Sequence, residues 1–141
     1  MSVPINYLAV LVAAIASMVT GFLWYGPLFG KQWVALSNMS PAQMEKAKSG
    51  GMGKTYLIAC IGSLLMSYVL AHAIVFAGAY MQVEGVMLGV TAGFFNWLGF
   101  VAPVSLGSVL WEQRPWKLWV INNSYNLITL MVMGVILALW Q

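Results

Sequence analysis

Apolar positions run almost unbroken through four stretches of the chain, about 4–29, 55–80, 85–110 and 118–140, and no charged residue falls inside any of them. Each exceeds the roughly 20 residues that cross about 30 Å of hydrocarbon at ~1.5 Å per residue. A β-barrel would alternate apolar and polar residues over segments of about ten residues, a pattern absent here. Lipid offers no partner to backbone polar groups, so spanning segments of this kind must be helices. The pattern therefore predicts an all-α integral membrane protein, a single domain of four transmembrane helices in a bundle. The first apolar stretch is preceded by MSVPINY, without Lys or Arg, so it reads as a retained helix rather than a cleavable signal.

The one sizeable polar interval, about 31–54, contains SPAQMEKAK. Ser40 suits an N-cap, Pro41 the first helical position and Gln43 the reciprocal half of a capping box, and Gly50 and Gly51 follow as a stop. A short helix on the membrane surface is expected there, between the first and second spans.

Composition agrees with the pattern: 62% of residues are hydrophobic and 6% charged, against about 25% charged in soluble domains. The net charge of +3 is too dispersed to form a nucleic-acid-binding stripe. The lone Cys60 cannot form an intramolecular disulfide and reads as a small side chain facing lipid or a neighbouring helix. Charge placement carries more. Lys31, Lys46, Lys48 and Lys54 fall between the first two spans, Arg114 and Lys117 between the last two, and none elsewhere. The positive-inside rule then puts these loops in the cytoplasm and both termini outside.

Association of helices in lipid relies on small residues that let backbones approach. Ala9, Ala13, Ser17 and Gly21 recur at every fourth position, as do Ala59, Ser63, Ser67 and Ala71, and Gly85, Gly89 and Gly93. These stripes fit packing within one bundle first and a homo-oligomer interface second, and both can hold together.

Polar residues inside the spans are the candidate functional positions. Counting from the predicted ends puts Asn96, Asn126 and Ser17 roughly 18 Å from the outer face, and His72, Thr129 and Thr91 about 12 Å from it. Asn122, Asn126 and Thr129 share one face of the fourth helix. A polar layer in the bundle interior is expected, with Ser17, Asn96 and Asn126 in contact, either fixing the packing or lining a small pocket or path. His72 is the one ionisable side chain far from a helix end, a candidate by that fact alone, but it has no carboxylate partner in the core.

Catalysis finds little support. The chain has no Asp, and Glu45, Glu84 and Glu112 lie in loops or at helix ends. No nucleophile–base–acid set and no metal-ligand spacing can be assembled, and no catalytic residue, cofactor or metal is expected.

The stretch FLWYGPLFGKQW, residues 22–33, lies where the first helix reaches the basic side. Trp24, Tyr25, Phe29 and Trp33 read as an interfacial aromatic belt, joined by Trp111, Trp116 and Trp119 on the same side. Pro27 cannot donate to the carbonyl of Leu23, so the helix should kink or end there, and Pro103 should kink the third span. Beyond Pro27 the chain can run along the interface, while a binding role for Trp24 and Tyr25 stays open.

INYLAVLVAAIASMVTGFLWYGPLFGKQW at the N-terminus, FNWLGFVAP in the third span and KLWVINNSYNLITLMVMGVILALW at the C-terminus resemble, in content and order, the small bacterial membrane family DUF1761, a domain of unknown function. The resemblance implies a four-helix protein of the bacterial inner (plasma) membrane and brings no reaction and no catalytic residues. The role expected is that of a non-enzymatic, homo-oligomeric structural or partner-binding module whose partners are the bilayer and other copies of itself. The alternative is a small oligomeric transporter or channel using the polar layer, with no substrate to name. Such a protein resembles small multidrug exporters in size but lacks a carboxylate in its first helix.

Overall fold

The computed structural model describes residues 2–141, and among them every regular element is helical. Four helices are long and apolar enough to cross a membrane: Tyr7–Leu28, Gly53–Met81, Gly85–Leu110 and Trp116–Leu139. The chain is thus built as a multi-pass membrane protein.

The first span begins with α1 (Tyr7–Leu23), capped by the Asn6 side chain, which accepts from the backbone N–H groups of Leu8 and Ala9. It continues as a π turn, Trp24–Leu28, containing Pro27. The missing N–H at Pro27 leaves a gap in the α ladder, and the helix widens, with Phe29 donating five residues back to Trp24. Pro27 therefore causes a widening followed by a break, after which α2 (Gly30–Leu36) sets off. Asn38, in the left-handed region at φ 50°, leads towards α3 (Pro41–Lys48). The capping box on Ser40 and Gln43 forms as the sequence predicts.

The second span, α4 (Gly53–Met81), is one unbroken helix ended by Gln82 in the left-handed region. The third comprises α5 (Gly85–Asn96), a second π turn at Trp97–Val101, then α6 (Ala102–Ser105) and α7 (Gly107–Leu110). Pro103 stands just beyond that π turn, where Ala102 donates five residues back to Trp97. The fourth span is α8 (Trp116–Leu139).

α8 is the hub, packed most extensively on α5 and next on α1, while α4 lies mainly against α1. Between α5 and α8 the backbones touch: a Cβ on Gly89 would run into the carbonyl of Gly134, and one on Gly93 would lie 2.5 Å from the carbonyl of Leu130. Only glycine permits that approach, and dispersion over closely apposed backbones replaces the hydrophobic drive that lipid removes. α1 and α4 are clasped by hydroxyls: Ser17 donates to Ser63 at 3.0 Å, and Ser67 to the Val10 carbonyl at 2.8 Å. The small-residue stripes are thus largely consumed inside the bundle, with Ala9, Ala13, Ser17, Ser63, Ser67, Ala71, Gly89 and Gly93 all buried.

The two ends of the bundle differ. The apolar core gathers Ala9, Val10, Ala13, Leu70, Ala71, Ile74, Leu88, Ala92, Leu130, Met133, Leu137 and Ala138, all in the half nearer the termini. The other half, towards the six basic residues, is held by polar groups.

Candidate functional site

At the basic end, indole and hydroxyl donors tie α1, α5 and α6 to α8. Trp24 Nε1 donates to the Ile121 carbonyl and Trp97 Nε1 to that of Asn123, each at 3.0 Å. Tyr25 Oη donates to Asn122 Oδ1 at 2.8 Å. Asn123, 2% exposed, accepts from Ser105 Oγ at 2.9 Å on Oδ1 and donates through Nδ2 to the Trp119 carbonyl. Trp119 Nε1 in turn donates to Ser105 Oγ at 3.0 Å. The π turns place two of these donors, since Trp24 and Trp97 each open one. A widened turn redirects side chains from the face an uninterrupted α-helix would give them. Edge contacts of Tyr25 with Tyr125 at 5.0 Å and with Trp33 at 5.5 Å carry the cluster on to α2.

Above this network lies a cleft of about 560 Å³, within the range of small-molecule sites. Its walls come from α2 and the following turn (Trp33, Asn38), from α3 (Gln43, Lys46) and from the approach to α8 (Arg114), and Asn122 forms part of its floor. Two cations line it and no carboxylate does. Glu112 lies in a neighbouring recess of about 190 Å³ that shares Arg114, Leu118 and Asn122 with the cleft.

The polar layer expected at mid-membrane does not assemble. Ser17 is buried but pairs with Ser63. Asn96 turns its amide back to the Ala92 carbonyl of its own helix, 2.8 Å away, and faces an apolar groove of about 330 Å³ between α4 and the third span. Asn126 is half-buried on α8 and joins neither. His72 likewise uses its own helix: Nδ1 lies 2.9 Å from the Tyr68 carbonyl, and the ring sits between those of Tyr68 and Phe76, on an exposed aromatic edge rather than in the interior. Thr129 is buried, but its hydroxyl has no partner, and Thr91 is half-buried on α5. Asn122 alone of these positions enters the polar network. The physical reason is local, since a polar side chain in a helix can satisfy itself on the carbonyl four residues back without crossing to a neighbour.

The aromatic belt needs a similar correction. Trp111 and Trp116 are exposed, as an anchor requires, with Trp116 edge-on to Trp119 at 6.1 Å. Trp24 and Trp119 instead turn their N–H groups inward, and Phe29 packs tilted against Trp24, ring centres 4.6 Å apart. The sequence reading missed Trp97, Ser105 and Asn123. Asn122-Asn123 side by side was the available signal, because one of two adjacent amides on a helix must face away from the other's partner.

The basic-end part of α4 stands clear of the other spans. Every residue of α4 from Gly53 to Gly62 is exposed, whereas the helix from Ser63 onward buries one face. A Cβ on Gly62 would meet nothing within 4 Å. Cys60 is on this bare stretch.

No curated protein and no solved structure matches the chain. A family profile matches residues 8–138, which covers all four spans, the polar network and the cleft. On that match the chain belongs to the family described as Protein of unknown function (DUF1761).

Proposed function

We propose that this chain is a non-enzymatic membrane module that works as a homo-oligomer, associating through the basic-end half of α4. The observation that carries the reading is the exposure of Gly53–Gly62 on all sides. Three turns of helix stand clear of their own bundle and present Thr55, Ala59 and Gly62 along one side, with Leu57, Ile58 and Ile61 around them. Beside them runs the groove between α4 and the third span, lined by Gly62, Leu65, Val69 and Phe100 and holding Asn96. A bare helix with small residues next to an open groove suits the same elements of a second copy, in the self-complementary manner of two-fold interfaces. The transporter alternative has less support, because Asn96, Asn126 and His72 do not converge on a path. We place the basic end in the cytoplasm of a bacterial cell and both termini outside.

Cys60 is a built-in probe. A short bis-maleimide applied to native membranes is expected to yield a dimer band that disappears in Cys60→Ser. Gly62→Leu, whose Cβ would meet nothing within 4 Å in its own chain, is expected to reduce that band while leaving thermal stability unchanged. Single-molecule photobleaching that finds one subunit per particle at every protein-to-lipid ratio would overturn the reading.

A further inference from the structure

We propose that the basic-end cleft binds a phosphate ester, free or as the head of a lipid, independently of any association through α4. The cleft's polar inventory is one-sided. Lys46 and Arg114 bring two positive charges, and no carboxylate lines the space to neutralise them. Arg114 is tethered within the protein by one long contact, Nη1 donating to the Ser37 carbonyl at 3.4 Å. At that length the bond is weak, and the guanidinium keeps its remaining donors.

The amides are committed in the same direction. Asn122 has its oxygen occupied by the Tyr25 hydroxyl, and Gln43 has its oxygen occupied by the Ser40 backbone N–H at 2.8 Å. Each amide therefore has one oxygen lone pair engaged and its whole NH₂ group free to offer the cleft. Two cations and the amide groups of Gln43, Asn122 and Asn38, from α3, the floor and the turn after α2, suit a group with several anionic oxygens. A phosphate ester has that form, and charge-assisted bonds to its oxygens are the strong ones.

Apart from Ser37 and Asn38, the rest of the lining is apolar. Met39, Met52 and Leu118 bring flexible and branched hydrocarbon, and Trp33 adds an indole face. That combination fits an ester with a hydrocarbon arm better than inorganic phosphate. A membrane lipid head and a small soluble phosphate ester share this chemistry, and the cleft sits where either can reach it.

The test uses the intact chain in nanodiscs of phosphatidylcholine. One arm titrates glycerol 3-phosphate by calorimetry, and the other dopes the discs with phosphatidic acid and counts retained lipid by native mass spectrometry. Saturable binding of one molecule per chain is expected in at least one arm, the first indicating a soluble ester and the second a lipid. Lys46→Gln with Arg114→Gln should weaken binding at least about tenfold, a loss of ~1.4 kcal/mol. Lys46→Gln alone, on exposed α3, should weaken it in the same direction if the pair disturbs folding. Lys48→Gln, on the same helix but outside the lining, should leave it unchanged. Binding in neither arm, or an equal loss in Lys48→Gln and the pair, would overturn the proposal, the latter by reducing it to general surface charge.

Discussion

At the scale of single residues, depth and direction separate. Counting along the helices gives how far a side chain lies from a membrane face, but not which way it points around the axis. Asn96 and Asn126 illustrate the difference: their expected levels agree, yet one faces the α4 groove and the other stays on α8 without joining it. Self-satisfaction hid the rest, as with His72 on Tyr68 and Asn96 on Ala92. Thr129 is the exception, a residue 2% exposed whose buried hydroxyl has no partner. A buried donor left unmade carries its desolvation cost with no return. Thr129→Val, of nearly the same shape, is therefore expected to raise the unfolding free energy by about 1 kcal/mol. Titration with sodium dodecyl sulfate in mixed micelles, followed by tryptophan fluorescence, measures it. A loss of stability would mean that the hydroxyl has a partner outside the chain.

At the scale of elements, the spans and the short α3 were legible because their causes are local. Apolar length defines a span, and Ser40, Pro41 and Gln43 define a helix start whatever surrounds them. The break at Pro27 was legible for the same reason. Its form, a π turn that turns Trp24 towards α8, depends on what α8 offers. Two causes compete for that turn: the absent N–H of Pro27, and the bonds from Trp24 to Ile121 and Tyr25 to Asn122. Pro27→Ala separates them. If the proline is the cause, the helix regains its α ladder and everything after it rotates by roughly 100° about the axis, one residue's worth. The distance between spin labels at Val34 and Lys117 should then change, and Trp33 should leave the cleft. An unchanged distance would assign the turn to the hydrogen bonds with α8.

At the scale of the whole molecule, the basic end is the part equipped to meet something else, with a cleft lined by cations and a length of α4 left bare. The opposite end is closed by the apolar core and by glycine contacts. Which compartment the basic end faces decides what can reach it. All six basic residues lie in the two loops at that end, and neither terminal tail carries one. A bias this complete should give a single orientation, because each misplaced Lys or Arg opposes insertion. In a Cys60→Ser background, a membrane-impermeant maleimide added to intact cells is expected to label Gln141→Cys. Gly50→Cys, between α3 and α4, should react only after permeabilisation. The reverse pattern would turn the cleft outward and remove cytoplasmic phosphate esters from its ligands. Labelling of both positions in intact cells would mean two orientations in one membrane, with a cleft presented on each face.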